Sequence, residues 1–128
     1  MITKSFAKYL LANGPITAAA NEIKPMKLED GHDDPAIVYS MGDDRRQRLT
    51  TGFSSMAKAT FYLDCYSTSY TTAKDLAATV DAELTDYVGA FGDHQAEQID
   101  NVSEHDLFED DTKLYRVAMQ FAVWYLVN

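Results

Sequence analysis

The chain has 128 residues, 46% of them hydrophobic and 12% aromatic, which suits a single domain with one core and excludes a disordered chain. Its formal net charge is −9, and residues 1–64 balance their basic and acidic side chains, so the whole excess falls in residues 65–128. No Lys or Arg lies between Lys74 and Lys113, where all twelve acids of that half are found; such a stretch argues against a grip on nucleic acid, which needs cations to displace counterions.

No apolar run approaches a membrane span, and Met1-Ile2-Thr3-Lys4-Ser5-Phe6 lacks the apolar block of a signal peptide, so a cytoplasmic site of synthesis and no membrane partner are expected. Thr3–Asn13 reads as a helix: Ile2, Phe6, Tyr9 and Leu10 recur at helical spacing, and Asn13-Gly14-Pro15 supplies a stop. Ile16–Asn21 has the makings of one helical turn. Glu22–Leu28 reads as a strand that Pro25 confines to an edge or a bulge. After the polar loop 29–34, a strand is expected from Pro35 to Met41. Gly42 to Gly52 is polar and carries Asp43, Asp44, Arg45, Arg46 and Arg48, and with strands on both sides it reads as a long hairpin arm.

Strict alternation follows from Met56 to Ser67. Ala57, Ala59, Phe61, Leu63 and Cys65 point one way, and Lys58, Thr60, Tyr62, Asp64 and Tyr66 the other, the mark of a half-buried antiparallel strand. Ser69 is placed to cap a helix whose apolar stripe runs Ala73, Leu76, Ala77, Val80, Leu84, Tyr87 and Val88, with Gly89 closing it. A polar strand over Gln95–Glu104 and an acidic loop precede a final strand, Lys113–Val127, with Tyr115, Val117, Met119, Phe121, Val123 and Tyr125 on one face. The pattern predicts an α+β fold: a single antiparallel sheet of about four to five strands with two helices packed on one face. Tyr62, Tyr66 and Trp124 fall on the other face, more aromatic surface than solvent requires, so a second subunit is expected to cover it.

Catalytic motifs are absent: there is no phosphate-binding glycine loop, no G-x-S-x-G, no C-x-x-C and no H-E-x-x-H. His105, Asp106 and Glu109 form the best metal-like grouping, but Asp110-Asp111-Thr112 would break the helix that could align them, so a solvated acidic loop, no metal and no cofactor are expected. His32 and His94 read as surface residues. Cys65, the single cysteine, lies in an apolar strand pattern and reads as a buried thiol. The basic cluster Arg45, Arg46 and Arg48 reads either as a mobile surface arm or as a patch that docks on the acidic region of a neighbouring copy. That region comprises Asp75, Asp81, Asp86, Asp93, Glu97, Asp100, Glu104, Asp106, Glu109, Asp110 and Asp111, which would form a docking surface or line a lumen. Two unlike patches meeting head to tail close into a ring when the rotation permits.

Several segments in order resemble the tail-completion (tail-terminator) family of long-tailed bacteriophages, the lambda U-like head–tail junction proteins. They are the opening helix into Asn13-Gly14-Pro15-Ile16-Thr17-Ala18, then Ile23-Lys24-Pro25, Pro35-Ala36-Ile37-Val38-Tyr39, and Ala57–Cys65 followed by Ser69-Tyr70 with Ala73 and Leu76. The set ends with Asp111-Thr112-x-Leu114-Tyr115-Arg116-Val117 to Phe121-x-Val123-Trp124. Ala18-Ala19-Ala20-Asn21-Glu22 departs from it, being smaller and more polar. The resemblance implies a non-enzymatic virion protein at the head–tail junction, assembled in the host cytoplasm. It would be a homo-hexameric ring that caps the tail tube, stops addition of tube protein and meets the head-side connector, with DNA only as passing cargo. The neighbouring role, a head–tail joining subunit of similar fold, stays open. An acidic DNA mimic and a small metal-dependent hydrolase built on His105, Asp106 and Glu109 are the competing classes.

Overall fold

The computed structural model describes residues 2–28, 31, 33–49 and 52–126, the backbone alone at 46–49 and 52–55. Its first helix, α1, spans Ile2–Ala12 and buries Ile2, Phe6 and Leu10 of the predicted stripe together with Ser5, while Tyr9 is half-buried. Asn13 ends α1 and begins α2, Gly14–Ala19: its side chain accepts the amide of Ile16 at 3.0 Å, while Pro15 sits in the first turn, where a missing N–H costs nothing. Helix α3, Tyr70–Leu84, is capped by Ser69, whose hydroxyl accepts the amide of Thr72 at 3.4 Å.

The strands are β1 (Glu22–Pro25), β2 (Ala36–Leu49), β3 (Gly52–Ser67), β4 (Gly89–Phe91), β5 (His94–Glu109) and β6 (Leu114–Leu126). They form one sheet in the order β1-β2-β3-β6-β5-β4. The α+β class stands, but the expectation of four to five antiparallel strands and two helices is corrected to a mixed sheet of six strands with three helices among the described residues. β1 is the odd strand: it pairs parallel to β2, Glu22 opposite Ala36 through Pro25 opposite Tyr39. The short β4 was hidden in what the sequence presents as a turn.

Three boundaries also move. Gly89 does not close α3: the helix stops at Leu84, and Asp86 takes a positive φ of 63° and donates its amide to the carbonyl of Ile99 at 2.9 Å. The last turn is held to β5 through Asp81, which accepts from Thr85 Oγ1 at 2.6 Å and from Asn101 Nδ2 at 2.9 Å. The polar arm 42–52 is strand on both sides of its tip. The acidic loop after Glu104 is likewise strand as far as Glu109, leaving a short turn before β6.

The core lies between the helices and the inner face of β3 and β6. Phe61 and Phe121, Leu63 and Met119, Cys65 and Val117 are paired across the two strands, every one almost fully buried. The Phe6 ring stacks on Phe61 with centroids 4.0 Å apart, and Phe91 closes the cluster from the β4 side. The β3–β6 ladder runs from Met56 opposite Leu126 to Ser67 opposite Tyr115 without a register shift. Shifts interrupt the flanking pairs at Gly42, Gln47, Glu97 and Val102. A Cβ on Gly42 would stand 2.6 Å from the Tyr62 ring, so only glycine lets that ring lie across the bulge without displacement.

Candidate functional site

Ser5 Oγ lies 2.6 Å from His94 Nδ1, a pairing that distance along the chain conceals, and His94 is half-buried, not a free surface residue. Yet Ser5 is completely buried and its oxygen also accepts the amide of Asp93 at 3.1 Å, so the pair fastens α1 to the β4–β5 turn. The His105, Asp106 and Glu109 grouping does not converge. His105 is in register with Ala118 and Asp106 with Val117, so the two side chains leave opposite faces of β5. Asp106 instead accepts from Tyr70 Oη at 2.7 Å and Lys74 Nζ at 3.1 Å, contacts that hold its carboxyl below the usual range. His32 lies outside the described residues. Burial pushes the Cys65 thiol far up, so the reactive thiolate is not available.

The outer sheet face carries the predicted aromatics, in different circumstances. Tyr62 is 42% exposed. Trp124 is half-buried, with Lys58 Nζ 5.4 Å from its ring. Tyr66 is covered by its own chain, packed with Val38, Leu114 and Leu28, with the Arg116 guanidinium 5.9 Å from its ring. Between Tyr62 and Arg116 runs a groove of about 300 Å³ lined by Ser40, Asp64, Ser103, His105 and Gln120. Arg116 bridges Asp64 at 3.1 Å and Glu109 at 3.7 Å. Burial raises the Asp64 carboxyl against the opposing pull of Arg116.

The acids do not share one face. Asp75, Asp81 and Asp86 belong to α3 and its exit, Asp93 to the turn before β5, and Asp110 and Asp111 to the turn after it. Along β5, Asp100 and Glu109 accompany the outer-face residues Ala122 and Leu114, Glu104 and Asp106 accompany the core-facing Met119 and Val117, and Glu97 occupies a register shift. Lys8 meets Asp93 at 3.0 Å, and Lys74 alone serves both Glu104 and Asp106. What the acids share is an edge: β5, with α3 beside it. The basic arm is at the other edge of the sheet. Arg45, with 81% of its side chain exposed, contacts Asp43 at 3.1 Å; the side chains of Arg46 and Arg48 lie outside the described residues. The structure thus separates the two charged groups within the chain.

Sequence patterning missed two things here. It gave no sign of the Ser5–His94 contact, and it missed that β5 extends the acidic segment into an open strand. Among the described residues no helix is long and apolar enough to cross a membrane.

No curated protein matches the chain in sequence. Among solved structures, a chain from the virion of a native gene transfer agent particle has a similar fold, with a TM-score of 0.72, 15% identity, and coverage of 98% of this chain and 94% of that one. The family model described as tail completion protein gp17 matches residues 6–126. A match over nearly the whole chain makes it a member of the tail completion protein gp17 family, a structural and non-enzymatic protein of the phage tail.

Proposed function

We propose that the protein is the tail terminator: a closed ring of identical subunits, six by the family resemblance, that caps the finished tail tube at the head–tail junction. There it stops addition of tube protein and presents its free side to the head connector. The family match across residues 6–126 carries this reading. Separation of the basic arm and the acidic edge onto opposite sides of one sheet supports self-association, because unlike patches meet head to tail and not face to face. DNA enters the reading only as cargo crossing the ring. The net charge of −9 gives a passing phosphate little purchase, and Lys8, Lys74, Arg45 and Arg116 are each engaged by a carboxylate. Assembly takes place in the host cytoplasm, before head and tail join.

The test is electron microscopy of the protein mixed with polymerising tail-tube subunits. Tubes of limited length with a ring at one end are the expected outcome. Tubes whose length and ends are unchanged would refute capping. Binding to an isolated connector without any effect on tubes would favour the head–tail joining role instead.

A further inference from the structure

Both edges of the sheet are left half open. Among the described residues, β1 accompanies β2 only to Tyr39, where the Met26 amide donates to the Tyr39 carbonyl; from 41 to 49 no strand lies on that side. At the other edge β4 covers only His94–Ala96, and the Asp86 amide takes the Ile99 carbonyl. From 100 to 109 β5 has β6 on one side and no strand on the other. Long open strands of this kind are templates for pairing, and proteins guard them with Pro, charged side chains, bulges or a covering element. Neither segment contains Pro or Lys; both carry bulges and charged side chains, and their net charges are opposite in sign. Val102, Leu107 and Phe108 on the β5 segment are each about half exposed.

Resting on the ring reading, we propose that consecutive copies join by β-augmentation. The open segment of β2 in one subunit adds as an antiparallel strand to the open segment of β5 in the next. A second copy is the occupant the charges select. The β5 segment holds Asp100, Glu104, Asp106 and Glu109, and Lys74 offsets only part of that charge. The β2 segment holds Arg45, Arg46 and Arg48 against Asp43 and Asp44. Like edges repel, so the two-fold pairing of β5 with β5 is disfavoured while β2 with β5 is favoured. Direction also fits. β2 runs antiparallel to β3, β3 to β6 and β6 to β5, so subunits of one orientation around a ring bring β2 antiparallel to the next β5.

Register follows from charge. Setting strand position 46 opposite Asp106 places position 48 opposite Glu104 and Arg45 opposite Leu107, matching two arginines of the sequence with two carboxylates. Within one subunit Arg45 is level with Lys58, Trp124 and Gln98. The neighbour is therefore displaced along the strands by about nine residues, roughly 30 Å at ~3.3 Å per residue.

The test joins the two positions covalently. Arg45→Cys with Leu107→Cys in one chain, Cys65 being buried, should give on mild oxidation a ladder of covalent oligomers ending at the ring size. Each single variant should give none. Both positions are substantially exposed, and an unchanged circular dichroism spectrum establishes the fold. A second measurement uses charge: R46E/R48E and E104R/D106R should each weaken assembly at least tenfold alone and restore it when mixed. Efficient dimers from L107C alone, or rings by native mass measurement with no ladder, would overturn the edge-to-edge interface while leaving the ring. A wild-type chain that stays monomeric even beside tail tubes would overturn both.

Discussion

The hydroxyl of Ser5 and the Nδ1 atom of His94 are 2.6 Å apart although 89 residues separate them along the chain. Because the same oxygen accepts the Asp93 amide, one buried side chain satisfies two groups of the β4–β5 turn and locks it to the first helix. Replacing Ser5 with Ala leaves both groups without their partner inside a packed site. The expected loss is about 1–3 kcal/mol, read as a lower urea midpoint with unchanged slope. A loss below about 0.5 kcal/mol would mean that the turn finds other partners.

Gly92 belongs to the same contact. Its φ is +60°, and a Cβ there would stand 2.5 Å from the Ser5 Cα. Gly92→Ala should cost more than about 2 kcal/mol, since both the backbone and the clash oppose it. Gly14→Ala has open space around it and a helical position, and should be neutral or slightly stabilising. Equal effects of the two substitutions would contradict the packing described.

Phe61 is fully buried, stacked on Phe6 and paired with Phe121. Phe61→Ala removes the ring at the centre of the core and should lower stability by about 3–5 kcal/mol. Thermal unfolding followed by near-ultraviolet circular dichroism reads the loss. A melting temperature within a degree or two of wild type would show that this cluster is not the core.

Alkaline pH tests the tyrosines. Burial, reinforced by the Asp44 carboxylate that accepts its hydroxyl at 2.7 Å, raises Tyr125; burial also raises Tyr9 and Tyr66. A phenol with a raised folded pKa gives stability that is fully present below its unfolded value near ~10 and is lost as pH climbs toward the folded one. The urea midpoint should therefore fall above about pH 10, and Tyr125→Phe should make that fall shallower. An identical pH slope in the variant would exclude Tyr125 as a source.

Cys65 should be inert to a thiol reagent in the folded protein and react at once in denaturant. Rapid labelling of the native chain would show that β3 is accessible.

The central strands were legible because each has one dry face and one wetter face: β3 and β6 alternate without interruption, and no register shift disturbs them. β5 was not. Ile99 and Asn101 face the core side before the shift at Val102, and Glu104 and Asp106 face it afterwards, so odd and even positions exchange faces within one strand. Polar residues without a steady period read as a loop. The parallel pairing of β1 depends on where the chain returns after residue 35, which no local pattern encodes. Location of the excess charge was readable from composition. Its collection along one edge was not, because that depends on which strand β5 pairs with and which side it leaves open. Tyr66 illustrates the same limit: alternation places it on the outer face, and the return of Leu28 buries it there.

The unbroken β3–β6 ladder has a mechanical meaning. Its hydrogen bonds lie across the strands, so a pull along the strand direction loads the bonds from Met56–Leu126 to Ser67–Tyr115 together, in shear, and they must fail as a group. A pull across the strands would open them one after another, like a zip. The sheet is therefore stiff along one axis and weak across it, and any load on the protein is best borne along the strong axis.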